Sequence, residues 1–335
     1  MSELRQNIIT RDWVIIASDR ANRPSDVAKQ TARSKDIPRH DPTCPFCPGN
    51  EKMTVHEVLR IPDHGGWRVR VVDNKYPALT TEGERIRKIS GIHRSMTGIG
   101  WHEVIIEHPR HDLTMARFTP EDVASVLTAY RQRYMEIQKD NRVEAIIIFK
   151  NYGERAGTSL IHAHSQLAAT PIVPTQIRNR VEEAIRYFDD AGECIFCSTL
   201  RDELHARKRI VFESDRFVAF LPYAALSPFH LWIFPRRHQS SYDDVSDDEI
   251  RDLALVLRTV LAKLYIGLHD PDYNYSIRSL PTHDGHTDYF HWYVAIIPRV
   301  TRTAGFELGS GMYINTVIPE ESAEFLRSVQ VPESF

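Results

Sequence analysis

The chain is expected to adopt an α+β fold of two similar halves, each a mainly antiparallel sheet with a helix packed on it. Three observations carry this expectation. The four cysteines fall in two Cys-x-x-Cys pairs, Cys44/Cys47 and Cys194/Cys197. After each pair the same succession follows: strands, a Pro-Arg-(x)-His sequence, a capped helix, one strand, then a histidine-bearing strand. Short apolar runs bounded by turn residues supply the strands, and the helices open on capping sequences. The halves are drawn as residues 1–187 and 188–335.

In the first half, residues 7–17 read as a hairpin or edge strand, and Arg20-Ala21-Asn22-Arg23-Pro24 as a basic loop. Pro42, Pro45, Pro48 and Gly49 surround the first cysteine pair, which argues for a knuckle-shaped loop against a helix-opening redox motif. Residues 57–61, 67–73 and 103–107 are strands, with Asn74-Lys75-Tyr76-Pro77 as a breaker. Thr119-Pro120-Glu121-Asp122 opens a helix to residue 140, proline at its first position and acids in its first turn. Residues 143–149 form a buried strand. In the second half, strands are expected over 209–213, 217–221, 230–235, 273–278 and 289–298. Ser246-Asp247-Asp248-Glu249 is a capping box starting a helix to residue 269.

At 335 residues, with 42% hydrophobic and 26% charged residues, the composition is that of an ordinary globular protein. A net charge of −3 gives no electrostatic reason to expect nucleic acid or a membrane as partner. No apolar run approaches a membrane span, and Met1-Ser2-Glu3-Leu4-Arg5 does not read as a signal peptide, so a cytoplasmic location is expected. There disulfides are disfavoured, and paired cysteines point to structural metal ahead of redox chemistry.

The chemistry concentrates in Asn151-Tyr152-Gly153-Glu154-Arg155-Ala156-Gly157-Thr158-Ser159-Leu160-Ile161-His162-Ala163-His164-Ser165-Gln166. Gly153 and Gly157 permit close approach of backbone to a ligand, and their loop is expected to present unpaired N–H groups to phosphate. His162, His164 and Gln166 alternate along the strand that follows, so they share one face. A neutral imidazole is a good nucleophile at physiological pH and a competent leaving group once phosphorylated. The Gln166 amide can hold a phosphoryl oxygen but cannot act as acid or base, which suits transfer between phosphates. Backbone N–H groups near Gly157 and the Ser159 hydroxyl would offset charge on the transferring group.

By element order His111 corresponds to His238 and His162 to His291, while His164 corresponds to Tyr293. Zinc takes four ligands in a tetrahedron. Cys44, Cys47, His111 and His162 would supply one set, and Cys194, Cys197, His238 and His291 another. Neither keeps an open position, so both would be structural and stabilise the fold directly. His93, His102, His108, His230, His283 and His286 compete for the histidine places.

His162-Ala163-His164-Ser165-Gln166 behind its Asn/Gly/Gly/Ser loop resembles the histidine-triad superfamily, and within it the galactose-1-phosphate uridylyltransferase branch. The hydrolase branch has a third histidine where this chain has Gln166. The resemblance covers Arg20 to Asn315. It implies a ping-pong nucleotidyltransferase in which His164 attacks the α-phosphorus of a nucleotide sugar, expelling sugar 1-phosphate. A second sugar phosphate or orthophosphate then collects the nucleotidyl group. It favours the first metal set, with His162 a ligand, and implies zinc at both sites, with iron an alternative at one. Asn151, Gly157, Ser159 and Gln166 are implied as phosphate-binding, and Arg20 and Arg23 as phosphate contacts reaching across a homodimer interface. Asn74 is implied near the nucleotide, and Phe306 and Glu307 at the hexose hydroxyls.

Departures from the uridylyltransferases lie near the C-terminus. Thr301-Arg302 and Tyr313 stand where they carry Lys-Phe and Gln, and the Gly305–Asn315 segment looks like the plant ADP-glucose phosphorylase version. The first expectation is exchange between UDP-glucose and galactose 1-phosphate. ADP-glucose or dinucleoside-polyphosphate phosphorolysis on the same scaffold is the alternative, and a metal-pinned binding module without catalysis is the third reading.

Overall fold

The computed structural model describes residues 2–17, 37–62, 64, 66–332 and 335. Ten short strands rich in β-branched and aromatic residues pair into one antiparallel sheet. The first half contributes β3 (Glu57–Ile61), β4 (Val69–Asp73), β7 (Trp101–Ile106), β8 (Ala145–Tyr152) and β9 (His164–Thr170). The second contributes β10 (Ile210–Glu213), β11 (Phe217–Phe220), β12 (Leu231–Pro235), β13 (Tyr273–Arg278) and β14 (Tyr293–Pro298). From either edge inward the order corresponds, β3-β4-β7-β9-β8 on one side and β10-β11-β12-β14-β13 on the other. The duplication is therefore present in the sheet, but as one sheet and not two. β8 and β13 pair directly, from Tyr152↔Tyr273 to Ile148↔Ile277, and fuse the halves.

Helix α1 (Pro120–Ile137) starts where its capping residues dictate: the Asp122 N–H donates to Thr119 Oγ1 at 3.2 Å, and the Thr119 N–H donates to the Asp122 carboxylate at 3.3 Å. Helix α4 (Asp247–Gly267) repeats the arrangement with Ser246 and Glu249. Both stop slightly short of the expected ends. Val126, Leu127 and Tyr130 of α1 and Leu253 and Leu257 of α4 bury against Ile148, Leu167 and Ile277 on one face of the sheet. Strand alternation sends Leu231 and Ile233 into that core and turns Trp232 and Phe234 to the other face. On that face lie two helices absent from the sequence expectation, α2 (Thr175–Ala191) and α3 (Ile195–Ala206). The expected boundary at 187/188 falls inside α2.

The first cysteine pair lies in turns, as expected. The second does not: Cys194 is the N-cap of α3 and Cys197 sits in its first turn. The N-terminal hairpin is β1 (Glu3–Gln6) with β2 (Trp13–Ile16), and β15 (Tyr313–Asn315) adds to β2 in parallel. Helix α5 (Gly305–Ser310) precedes β15, and α6 (Pro319–Ser328) follows it. A separate hairpin pairs β5 (Arg87–Ser90) with β6 (His93–Met96). Among the described residues, no helix is long and apolar enough to cross a membrane.

Candidate active site

After β8 the chain leaves the sheet, turns at Gly153 and Gly157, both at φ +90°, and returns at His164. Side chains other than hydrogen are disfavoured at that φ, which explains both glycines. The excursion walls a cavity of about 950 Å³ lined by Asn151, Ser159, His162 and His164, with Arg117, Arg155 and Arg299 among the other lining residues. The turn itself uses the N–H groups that were expected to be free. That of Gly157 donates to the Glu154 carbonyl at 3.0 Å, and that of Thr158 to the Gly153 carbonyl at 3.2 Å.

His162 was expected on the strand with His164; it lies just before it. The ladder to β7 begins at Ile106↔His164, so His162 is released from the sheet and its ring is free to turn to the cysteines. The second half repeats the step: β14 begins at Tyr293, and His291 precedes it.

His164 is 8% exposed. Its Nδ1 lies 2.9 Å from the His162 carbonyl oxygen. A carbonyl only accepts, so Nδ1 carries the proton and Nε2 is left with its lone pair. Burial holds the imidazole below the ordinary histidine range and keeps it neutral.

Cys44 Sγ and Cys47 Sγ lie 3.7 and 3.6 Å from His162 Nδ1, and Cys47 Sγ lies 3.5 Å from His111 Nδ1. In the second cluster Cys197 Sγ is 3.2 Å from His238 Nδ1 and 3.4 Å from His291 Nδ1. Within each cluster the four ligand atoms lie within 4.8 Å of one another. A tetrahedral ion with bonds of about 2.3 Å to sulfur and about 2.0 Å to nitrogen has edges of about 3.5 Å, so both clusters fit a four-coordinate metal. His162 Nε2 donates to the His108 carbonyl at 2.7 Å and His238 Nε2 to the Thr287 carbonyl at 2.9 Å, which aims each Nδ1 at the thiols. Burial lowers the His162 imidazole to about 4. The Cys194 thiol, followed by the two histidine rings, pulls Cys197 towards the thiolate that a metal requires. The six competing histidines belong to neither cluster.

Gln166 points from β9 beside β7. His102 accepts the Ala78 N–H at Nδ1, so its Nε2 carries the proton that is donated to Gln166 Oε1 at 2.9 Å. Asn74 Nδ2 approaches the same oxygen at 3.5 Å. The carbonyl end of the amide is thus occupied, and its NH₂ end has the polarity to donate to a phosphoryl oxygen. Neither Gln166 nor Asn74 lines the cavity. Phe306 and Glu307 also stand outside it: Phe306 is 46% exposed, and the Glu307 carboxylate accepts from the Ala304 N–H at 2.9 Å, capping its own short helix. Arg20 and Arg23 lie outside the described residues.

The model of the N-terminal domain of galactose-1-phosphate uridyl transferase matches residues 1–174, and that of its C-terminal domain matches residues 145–333. The chain belongs to the galactose-1-phosphate uridyl transferase family. As a member it is a nucleotidyltransferase. An ADP-glucose phosphorylase from Arabidopsis thaliana is 36% identical over 335 residues, covering 98% of this chain and 93% of the relative. A galactose-1-phosphate uridylyltransferase from Thermotoga maritima is 28% identical over 341 residues, covering 99% of each. The crystal structure of an ADP-glucose phosphorylase from Arabidopsis thaliana with bound ADP-glucose has a TM-score of 0.84 at 34% identity, over 99% of this chain and 100% of that one. A uridylyltransferase structure has a TM-score of 0.76 at 25% identity, over 98% of each chain.

In this uridyl transferase family member, sequence reasoning missed the residues that hold the named ones. Phe46, inside the first Cys-x-x-Cys, packs its ring 5.4 Å from that of His164, and Phe196 in the second motif packs 5.8 Å from Tyr293. The repeated Cys-x-Phe-Cys was legible as a signal. Asn274 Nδ2 donates to Asn151 Oδ1 at 2.8 Å and to the Ala156 carbonyl at 2.9 Å, clasping both ends of the glycine turn. Arg299 Nε donates to Asn274 Oδ1. Lys150 and Glu107 pair beneath His164.

Proposed function

We propose that the protein transfers the nucleotidyl group of a nucleotide sugar through a covalent bond to His164 Nε2, acting as a UDP-glucose–hexose-1-phosphate uridylyltransferase. One observation carries this reading: a buried, neutral imidazole on the cavity wall, its Nδ1 proton committed to the His162 carbonyl. Nε2 attacks the α-phosphorus, and the bond from phosphorus to the bridging oxygen breaks. Sugar 1-phosphate leaves with that electron pair as a stable anion, so no general acid is needed. A phosphate oxygen of the acceptor then attacks the same phosphorus and expels neutral His164.

In this proposal Asn151, Ser159 and Gln166 contact the phosphates, Gly157 serves by shaping the turn that carries Ser159, Asn74 lies near the nucleotide, and Arg20 and Arg23 contact phosphate. Zinc in each Cys₂His₂ cluster would cross-link the fold, with iron an alternative at one; four protein ligands per cluster support a structural role. A homodimer belongs to the proposal: Phe306 and Glu307 stand off their own chain's cavity, so contact with a hexose requires the other copy. So do the division into halves near 187/188, supported by the repeated strand order, and a cytoplasmic location, supported by the four free thiols.

ADP-glucose phosphorolysis is the second reading, favoured by 36% identity to the Arabidopsis phosphorylase against 28% to the Thermotoga transferase. The two differ in base and acceptor, not in the histidine chemistry. Incubation with UDP-glucose and with ADP-glucose separately, followed by assay of released glucose 1-phosphate, decides between them. Release from UDP-glucose, with UDP-galactose formed on adding galactose 1-phosphate, supports the first. Release from ADP-glucose alone overturns it in favour of the second.

A further inference from the structure

Lys150 and Glu107 form an ion pair whose side chains are 1% and 0% exposed. Burying two charges has a desolvation penalty of several kcal/mol per ion, and well-packed apolar residues of similar volume often stabilise a fold as well or better. Stability is therefore a weak explanation for a pair at such a place.

The geometry supplies one. The ladder between β8 and β9 ends at Phe149↔Gln166, two residues short of His164. Where the ladder has stopped, Lys150 Nζ donates to the His164 carbonyl at 2.9 Å and to the Glu107 carboxylate at 2.5 Å. The Glu107 main-chain N–H donates to the Ala163 carbonyl at 3.1 Å. The His162 carbonyl accepts from His164 Nδ1. Three successive carbonyls, at 162, 163 and 164, are therefore held, the last of them by the Lys150 side chain of this pair. On the far side, the Tyr130 hydroxyl lies 2.6 Å from Ser165 Oγ and 3.4 Å from the Glu107 carboxylate, extending the grip to the next residue.

We propose that Lys150, braced by Glu107, is a positioning residue for nucleotidyl transfer. It fixes the main chain under His164 so that the ring keeps its Nδ1 bond and presents Nε2 to the cavity while the bond to phosphorus forms and breaks. This rests on the assignment of His164 as nucleophile. A displacement of about 1 Å at a reacting group lowers a rate by about 100-fold. Lys150 lines the same cavity, but its Nζ is committed to Glu107 and the His164 carbonyl, so ground-state binding is spared.

Lys150→Met alone strands a buried carboxylate, so the test uses Lys150→Met/Glu107→Leu, which removes both charges. The readouts are single-turnover release of sugar 1-phosphate, KM, metal content and melting temperature. The double variant is expected to keep its metal and melting temperature and a KM within about threefold, while the single-turnover rate falls about 100-fold. Lys150→Arg, which retains a donor towards the His164 carbonyl, is expected to stay within about tenfold of wild type. A double variant with the wild-type rate overturns the proposal. So does one that loses rate only along with metal and melting temperature, or an arginine variant as slow as the double. Wild-type protein that releases no sugar 1-phosphate overturns instead the assignment of His164, a separate result.

Discussion

His164 Nδ1 lies 2.9 Å from the carbonyl oxygen of His162, and the His162 ring faces Cys44 and Cys47. One residue thus serves the metal cluster with its side chain and the nucleophile with its main chain. Fixing the His162 ring fixes the carbonyl that selects the His164 tautomer. The rear copy keeps the first function and lacks the second: His291 faces Cys197, and Tyr293 sits in an aromatic cluster with Phe196 and Phe234.

Removal of the nucleophile follows from this directly. His164→Asn is expected to reduce turnover about 10⁴-fold or more, about 5.4 kcal/mol in the barrier. Its metal content should match wild type, since His164 belongs to neither cluster. Steady-state assay and metal analysis check the two halves of this expectation.

The two metal clusters should respond differently. Cys44→Ser and Cys194→Ser are each expected to remove one ion per chain and to lower the melting temperature. Only Cys44→Ser should also slow nucleotidyl transfer, by about 10- to 100-fold, because His162 connects the first cluster to His164. Metal analysis with single-turnover assays on the folded variants separates the effects.

Glu249 gives a pH prediction. It accepts from the Ser246 N–H at 2.9 Å, from Arg237 at 2.9 Å, and from the Gln239 amide at 2.8 Å, one residue from His238. Burial pushes its carboxyl up, but the Arg237 guanidinium and the Ser246 N–H outweigh that and hold it at about 2. The folded value lies below the unfolded one of about 4.3. Its contribution is therefore full above that unfolded value and is lost as pH falls towards 2. Glu249→Gln should lower stability at neutral pH by about 1.5–3 kcal/mol. Urea unfolding should show the gap to wild type closing over the acid range.

How far the sequence carried can be seen residue by residue. Thr119 with Asp122 and Ser246 with Glu249 announce their helices because a cap is a local signal. The cysteine pairs announce their clusters because thiols in this spacing have few other uses. Helix α2 gave no such signal: Pro174 makes no side-chain cap, and Val181 and Ala184 are its only buried residues. Helix α3 was hidden because its N-cap is Cys194, read for metal and not for structure. Lys150 looks like a surface cation in sequence, and its partner Glu107 is 43 residues away. Pairings of that kind are set by strand neighbours, which local patterns do not specify.

The homodimer and the sugar segment can be tested together. His164→Asn and Glu307→Ala proteins are each expected to be nearly inactive. If Glu307 serves the other copy, mixed dimers regain one complete site, and an equal mixture should recover roughly a quarter of wild-type activity. If Glu307 served its own chain, mixing would restore nothing.

The most direct measurement is peptide mapping by mass spectrometry after brief incubation with UDP-glucose or ADP-glucose at alkaline pH, where a phosphoramidate survives. The account predicts a single nucleotide adduct on the peptide carrying His164, absent from His164→Asn protein. Release of sugar 1-phosphate with the adduct on another residue, or with no covalent adduct at all, would contradict it.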